Sequence, residues 1–194
     1  MATPAESETL ACRDAARWEA WLARHHEGSS GVWLLIAKKG SEKTSVTIRE
    51  ALDVALCYGW IDSQRRSHDA DFYLQRYSRR RPRSPWSKLN VERAEALIAA
   101  GRMRPAGLAE VVAAKKDGRW AAAYESQRTA KLPPVFAAAL RRNERARAAF
   151  ERLDRTGQYT VILPILKAVS PSARASRLHT AIAQLDGSKR GRGR

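Results

Sequence analysis

The residues best suited to chemistry lie between Phe72 and Val91, a stretch without one acidic side chain in which Arg76, Arg79, Arg80, Arg81, Arg83 and Lys88 supply six positive charges. Tyr77 and Trp86 are interleaved with them. Planar guanidinium groups meet phosphate or carboxylate bidentately, and an exposed aromatic ring stacks on a base or a sugar, so the chemistry expected of this run is recognition of an anion. Ser87, Lys88 and Asn90 follow at a predicted helix start, where unpaired backbone N–H groups and the helix dipole favour negative charge. A plainer reading stands beside this one: Trp86 anchors the helix to the core, Ser87 and Asn90 are simple caps, and the arginines form a solvated loop rim.

Other constellations are weaker. Cys57 and Asp62 pair a thiol with a carboxylate, but no histidine is tied to them by a motif, and a helical cysteine among Leu56, Tyr58 and Trp60 reads as packing. His25 and His26 are adjacent and point about 100° apart on a helix, which is poor geometry for one metal ion. His68, Asp69 and Asp71 have the composition of a turn. With no Walker A loop, dinucleotide fingerprint, His-Glu-x-x-His or Gly-x-Ser-x-Gly in the chain, no catalytic residue, metal or cofactor is assigned. A small-ligand pocket lined by Trp33, Trp60, Asp62 and Tyr73 is a further expectation, and it would make the chain a sensor or an unfamiliar enzyme.

The elements that must position these residues follow from periodicity. Ala15, Trp18, Trp21, Leu22 and His25 share one face of a helix over residues 14–26. Residues 32–37, Val-Trp-Leu-Leu-Ile-Ala, are apolar on both faces and predict a central strand. Thr47 and Glu50 form a capping box that opens a helix running to Gly59. Residues 60–68 and 71–79 predict an antiparallel hairpin, with Phe72 and Leu74 on the face opposite Tyr73 and Tyr77. Helices are then expected after Ser87, with Val91, Ala94, Leu97 and Ile98 inward, and after Pro105, with Leu108, Val111 and Val112 inward. The remainder reads as helical: 134–142, 143–153, 156–167 with a kink or restart at Pro164, and a last helix capped by Ser170. The fold class is therefore α+β, an N-terminal α/β unit with a small, mostly antiparallel sheet followed by a C-terminal helical bundle. The boundaries expected are 1–124 for the first domain, 125–133 for a linker, 134–186 for the second domain and 187–194 for a disordered basic tail.

Charge sharpens the expectation about partners. The net charge of +16 is uneven: −1 over residues 1–60, +4 over 61–100 and +13 over 101–194. Clustered cations raise the local potential and release counterions from phosphate, so sequence-independent binding to nucleic acid is a second functional reading. Arginines outnumber lysines 27 to 9 in an alanine-rich chain, a bias that solvated helix faces also accommodate. Two distant cysteines fit reduced, buried thiols, and neither a signal peptide nor an apolar run of about 18 residues is present, so a cytoplasmic location without membrane insertion is expected.

The words Cys57-Tyr58-Gly59-Trp60-Ile61-Asp62 and Arg80-Arg81-Pro82-Arg83-Ser84-Pro85-Trp86-Ser87-Lys88-Leu89-Asn90 resemble the YdeI/OmpD-associated family, also called bacteriocin-protection proteins. The resemblance extends through Gly31-Val32-Trp33-Leu34, Gly101-Arg102-Met103, Ala106-Gly107-Leu108 and Asp117-Gly118-Arg119-Trp120, and more loosely to Phe136, Ala139-Leu140 and Phe150. It departs at Lys167–Arg174, where only the proline and arginine of the family's usual run remain. What the resemblance implies is a stress or defence protein that works by binding, without an agreed reaction.

Overall fold

The structure, a computed structural model, describes residues 8–187. Its elements in chain order are β1 (Thr9–Leu10), α1 (Ala15–His25), β2 (Val32–Ala37), α2 (Ile48–Cys57), β3 (Trp60–Ser67), β4 (Phe72–Arg79), α3 (Lys88–Ala99), α4 (Pro105–Lys116), α5 (Pro134–Arg141), α6 (Glu144–Glu151), α7 (Arg155–Leu166) and α8 (Pro171–Leu185). The fold is α+β, with the sheet in the N-terminal half and most helices after it. Two compact units divide the chain: one holds the residues up to Ser84 together with Glu92–Asp117, the other Pro85–Val91 together with the residues from Gly118 on. The basic tail expected from residue 187 lies, from 188 on, outside the described residues.

In the first unit the strand order is β1-β2-β4-β3. The two-residue β1, too short to show a pattern, adds a parallel edge to an otherwise antiparallel sheet. Register decides which side chains share a face. Tyr73, Gln75 and Tyr77 lie beside Ile36, Leu34 and Val32, while Arg76 lies beside Trp33 on the other side. The first of these faces carries the helices. Trp18 of α1 is fully buried, packs on the rings of Tyr77 and Trp60, and donates its indole N–H to the Ala51 carbonyl of α2 at 3.0 Å. Burying an indole of this size stabilises by about 2–3 kcal/mol, provided its N–H finds such an acceptor.

The capping box of α2 forms as expected: Thr47 accepts from the Glu50 N–H, and the Glu50 carboxylate accepts from the Thr47 N–H at 3.0 Å. Helix α4 differs from expectation. It turns Gly107, Val111 and Ala114 inward and leaves Leu108 and Val112 exposed, Val112 by 63%. The reason is Gly107, which lets α4 approach the end of α2 so closely that a Cβ there would stand 2.4 Å from the Cys57 carbonyl oxygen. Ile98 of α3 is likewise exposed, while Ala94 and Leu97 are buried.

The second unit has its own core of Phe136, Leu140, Ala146, Phe150, Ile162, Ile165 and Ala181, in which the rings of Phe136 and Phe150 meet edge to face at 5.2 Å. Asn143, Asp154 and Ser170 each accept a backbone N–H at the start of α6, α7 and α8, worth about 1 kcal/mol apiece. Pro164 sits inside α7, which runs on to Leu166 as one helix, so of the kink or restart expected there the restart does not occur.

Candidate functional site

The cationic run divides between the two units, Arg76–Arg83 in the first and Trp86–Asn90 in the second. In the first, β4 delivers the arginines to different environments because its side chains alternate. Arg76 is half-buried, with its guanidinium 5.7 Å from the Trp33 ring centroid. Arg79 donates from Nη2 to the carbonyls of His26 and Glu27 at 3.0 and 2.5 Å, so it closes the C-terminal end of α1. Arg80 is only 4% exposed, and its N–H donates to the Gly59 carbonyl at 3.0 Å. A guanidinium buried to that degree is not the solvent-facing group expected from the sequence. Arg81 and Arg83 are exposed and form no ion pair among the described residues. Between them Pro82 shapes a tight turn in which Arg83 takes the left-handed backbone, at φ 63°.

In the second unit Trp86 is 1% exposed and packs on Trp120 at 4.8 Å, so it cannot stack on a nucleobase and serves as an anchor. The Trp86 carbonyl accepts from the Tyr124 N–H, and the Tyr124 carbonyl accepts from the Lys88 N–H. Ser87 accepts from the Asn90 N–H at 3.2 Å, which makes it the cap, and Lys88 is ion-paired with Glu125. That pairing holds the Glu125 carboxyl below the usual carboxylate range. The helix start is thus occupied by the chain's own groups.

The four residues expected to line one pocket are not brought together. Trp33 lies on one face of the sheet beside Arg76, with the Arg66 guanidinium 4.5 Å from its ring centroid. Trp60, Asp62 and Tyr73 lie on the other face. Trp60 is fully buried between α1 and the sheet, with its indole N–H donated to His26 at 3.1 Å. Asp62 is half-buried beside Tyr77, and burial pushes its carboxyl above the usual range against the opposing pull of Arg65, Arg80 and Arg93. The Tyr77 hydroxyl has no hydrogen-bond partner among the described residues, and burial, reinforced by the Asp62 charge, raises the phenol. Cys57 is buried, and desolvation raises its thiol, the reverse of what a nucleophile needs.

A feature that alternation along β3 conceals is a bulge. Ser63 and Gln64 together oppose Arg76, so the pairing resumes one residue out of step and Arg65 joins the helix-side face. There its guanidinium lies 4.4 Å from the Tyr73 ring centroid and its Nε donates to Gln75 at 3.3 Å. Arg65 and Tyr73 border a cleft of about 670 Å³ between the β2–α2 loop and the hairpin, whose lining includes Lys38, Lys39 and Lys43.

A family model described as a domain of unknown function (DUF8412) matches residues 10–110, just over half of the chain. The chain belongs to this family. A second model, described as bacteriocin-protection, YdeI or OmpD-associated, matches residues 129–187, a partial match to the family that the sequence resembles. That match contains α5 to α8 and the whole core around Phe136, whereas the first spans β1 to the middle of α4. No curated protein and no solved structure matches the chain. No helix among the described residues is long and apolar enough to cross a membrane.

Proposed function

We propose that the chain is a cytoplasmic stress or defence protein of the bacteriocin-protection type that acts by binding an anionic partner rather than by catalysis. The observation that carries this reading is the exposure of Arg81 and Arg83 on the turn after β4, in a segment that has no acidic residue from Phe72 to Val91. Arg79 and Arg80 hold the base of the turn through His26, Glu27 and Gly59. The two free guanidinium groups therefore stand on a fixed support, which lowers the ordering cost of engaging phosphate or carboxylate. A direct grip on a cationic bacteriocin is opposed by the net charge of +16, so protection would run through another, negatively charged molecule. The test is charge reversal. Arg81→Glu together with Arg83→Glu should abolish binding to an inorganic polyphosphate probe at an unchanged thermal midpoint, and equal binding by the variant would reject the reading.

A second reading, sequence-independent binding of nucleic acid, is favoured by the exposed arginines of the second unit. Arg141, Arg142, Arg145, Arg147, Arg152, Arg155 and Arg177 all face solvent. Under this reading, affinity for a DNA duplex falls steeply with salt, deletion of residues 187–194 weakens it, and R81E/R83E leaves most of it intact.

A further inference from the structure

We propose that the cleft between the β2–α2 loop and the β3–β4 hairpin binds a small phosphate monoester, separately from the turn that carries Arg81 and Arg83. The cleft measures about 670 Å³, the size of a small-molecule site, and its lining holds four cations, Lys38, Lys39, Lys43 and Arg65, and no acidic side chain.

The loop that forms one wall is pinned from both sides. Lys38 donates its N–H to the Asp71 carbonyl at 2.7 Å and its Nζ to the Asp69 carbonyl at 2.6 Å, and its own carbonyl accepts the Ser41 N–H at 3.1 Å. The Ser41 hydroxyl donates to Asp71 at 2.8 Å, and the Ser45 hydroxyl accepts from the Ala37 N–H at 2.8 Å while donating to the Val46 carbonyl. These bonds fix the wall before any ligand arrives, and they leave the loop's remaining polar ends unused. The Lys39 and Lys43 ammonium groups, the Thr44 hydroxyl and the Tyr73 hydroxyl have no hydrogen-bond partner among the described residues. Arg65 has given only its Nε to Gln75, so its two Nη groups remain available. Glu42, in the same loop, is exposed and outside the lining, while Asp71 is engaged by Ser41 and Glu50 by the cap of α2.

The donor set points to phosphate rather than carboxylate. A carboxylate is satisfied in one plane by a single guanidinium, whereas a tetrahedral dianion takes donors from several directions, which two ammonium groups, a guanidinium and two hydroxyls supply. The helix start beside the cleft is closed by its own capping box and contributes nothing to this assignment.

The experiment titrates the full chain with phenyl phosphate and with inorganic phosphate by calorimetry, and compares Lys39→Gln/Lys43→Gln and Arg65→Gln with the parent. The lysines are exposed, so an unchanged thermal midpoint is expected and guards against a folding artefact. Binding of phenyl phosphate by the parent, weakened at least about tenfold in each variant, is the expected result. Absence of binding to either probe, or equal affinity in K39Q/K43Q, would overturn the proposal. R81E/R83E should bind phenyl phosphate as the parent does, so failure of this site and failure of the proposed function remain distinguishable.

Discussion

Replacing Gly107 by alanine tests the packing of the first unit at its tightest point. The added methyl would stand 2.4 Å from the Cys57 carbonyl oxygen and 2.7 Å from that of Leu56. A carbon and a carbonyl oxygen sit comfortably at about 3.3 Å, so α4 or the end of α2 must move by about 0.9 Å. Both obstacles are backbone, and no side chain can swing away to relieve the contact. Overpacking costs about 1–3 kcal/mol, here at the upper end, while alanine recovers about 1 kcal/mol of helix propensity over glycine. The net expectation is a loss of about 2 kcal/mol, or a thermal midpoint lower by roughly 4–8 °C if the chain melts as one. Denaturant unfolding of G107A beside Ala109→Gly separates the two contributions, because Ala109 is exposed in the same helix and its replacement costs only the propensity of about 1 kcal/mol. A G107A variant as stable as the parent, or more stable, would refute the close approach of α4 to α2.

Two further predictions concern titratable groups. Because burial raises the folded-state Asp62 carboxyl, the folded chain holds more protons than the unfolded chain above about pH 4, and stability falls as pH rises from there through the raised value. Asp62→Asn should therefore stabilise the protein at pH 7, with the gain vanishing below about pH 4, and destabilisation at pH 7 would show that the arginines prevail over burial. Cys12 and Cys57 are buried with raised thiols, so a disulfide reagent at neutral pH should label neither at the rate of a free thiol until denaturant is added. Rapid labelling of the native chain would contradict their burial.

Where local chemistry alone decides the structure, the sequence could be read directly. Thr47 and Glu50 cap α2 through bonds three residues apart, and the continuous apolar run of β2 requires cover on both faces wherever the sheet places it. The α+β class followed from the same local signals. What escaped depends on partners distant in the chain. Leu108 and Val112 have helical spacing with Val111, yet Gly107 rotates α4 so that its small residues face Cys57. Nothing near Ser63 and Gln64 announces the bulge that carries Arg65 to Tyr73, and without it alternation puts Arg65 on the opposite face. The cationic run shows the same limit, because residue type does not reveal that Arg79 closes α1 and Arg80 is buried while Arg81 and Arg83 remain exposed. A pocket lined by Trp33 with Trp60, Asp62 and Tyr73 ignores the pleat, which puts Trp33 on the opposite face from the other three.

The most direct measurement of the central claim is the salt dependence of binding to the inorganic polyphosphate probe, for the parent chain and for Arg81→Ala/Arg83→Ala. If both guanidinium groups meet phosphate, removing them should weaken binding and flatten the slope of log K against log salt by roughly one for each lost contact. Identical slopes and affinities for the two proteins would contradict a role for this turn in anion recognition.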